Sequence, residues 1–149
     1  MRLCFDMDGT IANLYSVENW LEMLMNSDET PYKIAKTLVN MNILAKYLNI
    51  LQKKGYEIGI ISWLAKTNDT EYHKKVTKAK KNWLGKHLKS VKFDFLEIVP
   101  YGTDKNIVCT SDKDILFDDE KHNRETWNGK AFDVDNILGT LKGLIAQGA

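Results

Sequence analysis

An α/β fold built on a central parallel sheet is what this sequence predicts, and three observations carry the prediction. Short apolar runs of strand length (Arg2 to Phe5, EIGIIS at 57–62, FDFLEIV at 93–99 and Asp114 to Phe117) alternate with longer segments of helical periodicity. Strands that alternate with helices pair in parallel, and helices then cover the sheet. Several runs end in polar residues, Asp6, Ser62 and Asp118 among them, and such a sheet places its chemistry outside the carboxyl ends of its strands. With 149 residues and no internal repeat, low-complexity tract or Pro/Gly-rich linker, a single domain with a small insertion is expected.

The elements follow in order. Arg2 to Phe5 is a strand stopped by Asp6 and Gly9. In SVENWLEMLMN (16–26), Val17, Trp20, Leu21 and Leu24 recur at helical spacing, and Thr30-Pro31 offers an N-cap with proline at the first helical position of a second short helix. Residues 41–53 place Ile43, Leu44, Tyr47, Leu48 and Leu51 on one face, and Gly55 stops that helix before the strand EIGIIS. Asn68 and Glu71 form a plausible capping pair for a lysine-rich helix running to about Leu88. Phe93 to Val99, Asp114 to Phe117 and a short Ala131 to Val134 supply three more strands, and an amphipathic helix from Asn136 to Ala146 closes the chain.

Composition excludes several classes of protein. Lys and Arg number 21 against 20 Asp and Glu, so net charge announces no polyanionic partner. Cys4 and Cys109 lack metal-ligand spacing and the density of a disulfide-stapled secreted domain, and they read as buried thiols of a reducing, cytoplasmic setting. No signal-like segment opens the chain, and no apolar run approaches the roughly 18 residues of a membrane span.

The chemistry concentrates in DMDGT (6–10) and DD (118–119). A carboxylate leaving a buried strand is costly unless a cation or hydrogen bonds compensate it, and two neighbouring carboxylates repel each other. A hard divalent cation removes that repulsion, and Mg²⁺ is bound by one or two carboxylates together with phosphate oxygens and waters. A local turn or helix cap explains either pair alone, but both pairs stand at strand ends, which favours one shared centre of Asp6, Asp8, Asp118 and Asp119. An EF-hand loop is excluded, because a strand precedes the motif and its glycine falls too early. Ser62 and Lys105 lie after two further strands and offer the hydroxyl and cation that a phosphate needs, although singly they read as a turn residue and a surface charge. Lys113 rivals Lys105, but it falls too close to the start of the following strand.

In chain order, DMDGT, IIS ending at Ser62, GTDK ending at Lys105 and ILFDD ending at Asp118-Asp119 resemble the four motifs of the haloacid dehalogenase superfamily of phosphotransferases, over residues 1–119. That resemblance implies a Rossmann-like three-layer sandwich with a small helical cap, residues 14–40, inserted after the first strand. It implies that Asp6 is a nucleophile forming an aspartyl-phosphate and that Asp8 is the general acid and base. It further implies Mg²⁺ held by Asp6, by the backbone carbonyl of Asp8 and by a carboxylate of Asp118-Asp119, with Ser62 and Lys105 on the phosphoryl oxygens. Dehalogenase-type members lack the second aspartate and transport ATPases carry threonine there, so Asp8 points to a phosphatase.

Specificity is expected from the cap and from Trp63, beside Ser62, while Tyr15, Trp20 and Tyr32 read as cap core. The small cap, FDDE at 117–120 and the Asn123 to Trp127 stretch look like the 5'(3')-deoxyribonucleotidase branch, although Glu120 stands where those enzymes often have arginine and the cap is shorter. The expected activity is Mg²⁺-dependent hydrolysis of a small phosphomonoester, a nucleoside or deoxynucleoside monophosphate first and a sugar phosphate or other metabolite second, by a monomer or homodimer. A different class, nucleic-acid binding or polynucleotide end processing, would use Lys74, Lys75, Lys78, Lys80, Lys81, Lys86, Lys89 and Lys92 with Trp83. Against it, Val76, Trp83, Leu84 and Leu88 form a buried stripe that leaves the lysines on a wet face, so nucleic acid is not the expected partner. His73, His87 and His122 show no ligand spacing.

Overall fold

The computed structural model describes residues 1–148. Strand β1 (Arg2–Phe5) leads into an excursion made of β2 (Ala12–Asn13), α1 (Trp20–Met25), α2 (Thr30–Ile34) and β3 (Lys36–Thr37), in which β2 and β3 pair antiparallel. Then come α3 (Met41–Lys53), β4 (Glu57–Trp63), α4 (Thr70–His87), β5 (Phe95–Val99), β6 (Ile115–Phe117), α5 (Lys121–Thr126), β7 (Lys130–Phe132) and α6 (Ile137–Gln147). The main sheet has the order β5-β4-β1-β6-β7, and every pairing in it is parallel. From β1 the chain builds outward to β4 and β5 on one side and returns to β6 and β7 on the other. Strand order therefore reverses at β1, the kind of place where an open α/β sheet leaves a crevice at its carboxyl edge.

Strand alternation explains the two layers of core. Leu3 and Phe5, Ile58 and Ile60, and Ile115 and Phe117 join Leu44, Leu48 and Leu51 of α3, Trp83 and Leu84 of α4, and Ile137 and Leu141 of α6 in one apolar cluster. Cys4, Ile61 and Leu116, on the opposite face of the strands, join Val108 of the 3-10 turn Lys105–Val108 and Trp127 in another. Each such side chain contributes about 1.5–3 kcal/mol by leaving water. Phe5 stacks on Phe117 with centroids 4.8 Å apart, tying together the two strands that carry the aspartate pairs. Gly59 has a packing reason: a Cβ there would collide with the Phe95 ring, which lies across β4.

Several boundaries differ from expectation, and hydrogen bonds explain most of them. The N-cap of α4 is Asp69, which accepts from Tyr72 N at 3.1 Å, and not Asn68. Thr30 lies inside α2, because Asp28 takes its N–H at 2.9 Å and its hydroxyl at 2.6 Å. β7 ends at Phe132, since the Asp133 carboxylate takes Val134 N at 2.7 Å and starts a 3-10 turn. Ser62 stands within β4, which continues to Trp63. Ile43 is exposed on the first turn of α3, and Cys109 is only half-buried. The largest departure is Lys80: it does not join the wet face of α4 but is 1% exposed.

α4 is also the platform for the excursion. Tyr72 Oη donates to Asp28 O at 3.2 Å, Trp83 Nε1 to Ala35 O at 2.8 Å and Ser27 Oγ to Asp69 Oδ2 at 3.0 Å. No helix among the described residues is long and apolar enough to cross a membrane.

Candidate active site

The parallel ladder brings the two aspartate pairs to one edge. Phe5 is in register with Phe117 and with Ile60, so the residues following β1 and β6 emerge side by side next to the end of β4. Asp6 N donates to Phe117 O at 3.0 Å and Asp118 N to Phe132 O at 3.1 Å, which carries the ladder one residue beyond each strand. The backbone then turns at Gly9, with φ +82°, and a side chain there would strike the Asp119 carboxylate and the Tyr15 ring. That glycine is required twice, by its backbone conformation and by the close approach.

Asp6, Asp118 and Asp119 each present a carboxylate oxygen, all within 4.8 Å of one another. Lys105 Nζ bridges two of them, at 3.0 Å from Asp6 Oδ1 and 2.6 Å from Asp118 Oδ2. Asp118 is fully buried and also accepts from Glu120 N at 2.9 Å and Asn123 Nδ2 at 3.2 Å. Thr10 Oγ1 lies 3.1 Å from both Asp6 Oδ2 and Asp119 Oδ1 and accepts from Asp119 N, but a hydroxyl has only one proton to give. One of those two carboxylates therefore needs a proton or a cation. On the other side of Asp6, Lys80 Nζ donates to Asp8 Oδ2 at 2.9 Å, to Ser62 Oγ at 2.7 Å and to Trp63 O at 2.8 Å.

The electrostatics follow from this crowding. Burial, then the neighbouring Asp6 charge, pushes the Asp118 carboxyl up to about 6 and Asp119 up to about 7. Burial also raises Asp8, although Lys80 opposes it. For Lys105, burial favours the neutral amine, but the Asp6 and Asp118 carboxylates outweigh it and hold the ammonium above its ordinary value. With all four carboxylates ionised, Asp6, Asp8, Asp118 and Asp119 would exceed the two ammonium groups by two negative charges, the charge of one divalent cation. The donors are all hard oxygens, as Mg²⁺ prefers, so the residues present fit that ion.

A cavity of about 350 Å³ opens over this cluster. Asp6, Asp8, Lys105 and Asp119 form its floor, and Trp63, Tyr101, Lys66, Tyr15, Trp20 and Tyr32 stand around it. Trp63 is held by a hydrogen bond from Nε1 to Thr103 O at 2.8 Å and packs on Tyr101 at 5.1 Å. Tyr15 and Trp20 meet edge to face at 5.0 Å, and these aromatics, read first as core of the excursion, also line the cavity.

Each residue expected at the site thus has a definite place. Asp6, Asp118, Asp119 and Lys105 converge, Asp8 and Ser62 meet through Lys80, and Trp63 forms part of the wall. Lys113 lies exposed on the loop before β6. Sequence reasoning missed Lys80, Thr10 and Asn123 as site residues. For Lys80 a signal existed, since it falls four residues after Val76 and four before Leu84, inside the buried stripe of α4.

No protein-family model and no curated protein matches this chain. Solved structures that share its fold include the following two. The D,D-heptose 1,7-bisphosphate phosphatase from Burkholderia thailandensis superposes with a TM-score of 0.57 at 10% identity, over 97% of this chain and 98% of that one. A chain of the Pnkp1/Rnl/Hen1 complex superposes with a TM-score of 0.55 at 16% identity, over 89% of this chain. This chain spans 44% of that second protein. The architecture is therefore an α/β sandwich of the same type as that of the heptose bisphosphate phosphatase.

Proposed function

We propose that this chain is a Mg²⁺-dependent phosphomonoester hydrolase working through an aspartyl-phosphate on Asp6. The observation that carries the reading is the convergence of Asp6, Asp119 and Lys105 on the floor of one aromatic-walled cavity, with the buried Asp118 bonded to Lys105 beside them. Asp6 attacks phosphorus, and dividing the displacement into two steps eases a difficult reaction. Asp8 protonates the leaving oxygen and then takes a proton from the attacking water. Lys105 has two hydrogen bonds to carboxylates and a third N–H to offer a phosphoryl oxygen. Ser62 Oγ, which accepts from Lys80, keeps its own proton for another.

Asp6, Asp119 and Asp118 would hold Mg²⁺, with Asp119 the more available of the pair because Asp118 already accepts from Lys105, Asn123 and Glu120 N, which leaves it about one free acceptor site. When bound, the ion supplies positive charge against the phosphoryl oxygens and relieves repulsion among the carboxylates. Residues 14–40 act as the cap over the cavity, and the unbridged thiols fit a cytoplasmic enzyme.

The leading substrate is a nucleoside or deoxynucleoside monophosphate. Trp63, Tyr101 and Tyr15 offer flat apolar faces a short distance from the phosphate groups, which suits a base better than a polyol. A sugar phosphate is the second reading, favoured by the fold shared along nearly the whole length of the heptose bisphosphate phosphatase. A panel of phosphomonoesters assayed with Mg²⁺ tests both readings. Nucleotides are expected to react fastest, and EDTA and Asp6→Asn are each expected to remove turnover while the chain stays folded. Turnover that survives both treatments rejects the mechanism, and faster hydrolysis of sugar phosphates rejects the nucleotide assignment.

A further inference from the structure

Lys80 is a buried cation at this centre without a direct task in phosphate binding. It rises from the middle of α4, and its three hydrogen bonds go to Asp8 Oδ2, Ser62 Oγ and Trp63 O, at 2.9, 2.7 and 2.8 Å. An ammonium has three protons, so all are committed and none remains for a phosphoryl oxygen. A lysine placed in a buried helix stripe also loses hydration and side-chain freedom, costs that surface lysines on the same helix avoid. The Tyr32 ring of α2 lies 5.2 Å from Nζ, so the excursion helps to enclose the ammonium.

Resting on the hydrolase reading, we propose that Lys80 is a positioning residue that fixes Asp8 for proton transfer and Ser62 for phosphate donation. At Asp8 the Lys80 N–H occupies Oδ2, so the transferable proton is confined to Oδ1. In the first half-reaction that proton passes to the bridging oxygen as the ester P–O bond breaks and the bond from Asp6 oxygen to phosphorus forms. In the second, a water proton returns to Oδ1 as the water oxygen bonds to phosphorus and the Asp6–phosphorus bond breaks. Lys80 keeps its three protons throughout. At Ser62 the Lys80 N–H takes a lone pair of the hydroxyl, which leaves the O–H free to act as a donor. The bond to Trp63 O anchors the ammonium to the end of β4.

A lysine that merely neutralised Asp8 would affect all substrates alike, whereas one that positions an acid matters most when the leaving group needs a proton. The test compares kcat/KM, which covers only the steps through departure of the leaving group, for an alkyl phosphomonoester and for p-nitrophenyl phosphate, whose phenolate leaves unprotonated. Lys80→Met is expected to slow both, because Ser62 is unseated, and to slow the alkyl ester about 100-fold more. A differential below about tenfold overturns the proposal, on the same scale of general-acid effects. Should Lys80→Met fail to fold, Asp8→Asn and the double variant Asp8→Asn/Lys80→Met, which removes both members of the ion pair, decide the matter. The double variant is expected to show the same alkyl-to-aryl ratio as Asp8→Asn alone, and a further widening contradicts the proposal. Wild-type rates and their loss in Asp6→Asn report on the hydrolase reading alone, so its failure is separate from that of Lys80.

Discussion

Two aspartates stand at opposite ends of the three-residue strand β6, and they could hardly be treated more differently. Asp114 precedes the strand and Asp118 follows it, and both are 0% exposed. Asp114 accepts from Arg2 N at 2.8 Å, from Thr110 N at 2.7 Å and Thr110 Oγ1 at 2.9 Å, and from Ser111 N at 3.2 Å. Burial pushes its carboxyl up, but these donors outweigh burial and hold it below the usual range. Asp118 faces Asp6 and Asp119, and burial with the Asp6 charge pushes it up to about 6. Burial alone thus says nothing about role. Backbone N–H groups make one carboxylate a structural knot, while a like-charged neighbour leaves the other with repulsion that the proposed Mg²⁺ would relieve.

The contrast predicts which measurement each substitution moves. Asp118→Asn is expected to lower kcat about 1,000-fold, roughly 4 kcal/mol of barrier, while denaturant unfolding shifts only slightly. Asp114→Ala reverses the pattern: it leaves three backbone N–H groups without their acceptor and is expected to cost about 3 kcal/mol in urea unfolding. Equal stability losses in the two variants break the comparison.

The same reasoning sets the pH dependence of the Asp114 contribution. A carboxyl whose folded value lies below its unfolded value stabilises the fold above the unfolded value, about 3.9, and the gain is lost as pH falls through the lowered folded value. Unfolding curves of wild type and Asp114→Asn are therefore expected to converge below about pH 4. Near-constant separation down to pH 2 contradicts the assignment. At the other end of the strand, saturating Mg²⁺ is expected to stabilise the wild type by about 2–3 kcal/mol in thermal melts, and Asp119→Asn to remove most of that shift. The smallest effect concerns the cavity wall: Trp63→Ala is expected to raise KM for nucleotides about tenfold, near 1.4 kcal/mol, with kcat little changed.

Much of this architecture is legible in the sequence because it rests on local pattern. The periodicity of residues 41–53 delimits α3, and the apolar runs before Asp6 and Asp118 locate β1 and β6. Strand register then carries both aspartate pairs to one edge, a consequence of parallel pairing that needs no further information. What escapes is whatever depends on a side chain reaching across the fold. Lys80 meets Asp8 from 72 positions away, and in composition it is one lysine in a lysine-rich helix. Asn123 reaches Asp118 from the short helix α5, whose sequence has no apolar stripe to announce it. The cap Asp69 escapes for a smaller reason, because it competes with the neighbouring Asn68 of equal capping propensity.

One experiment addresses the central claim, that Asp6 carries the phosphoryl group at a centre assembled from β1, β4 and β6. Enzyme quenched during turnover with Mg²⁺ and a phosphomonoester is reduced with borohydride, which converts an acyl phosphate to an alcohol, and its peptides are weighed by mass spectrometry. The account predicts homoserine in place of aspartate at position 6 and nowhere else. Sustained turnover with position 6 unmodified, or reduction at a different carboxylate, would contradict it.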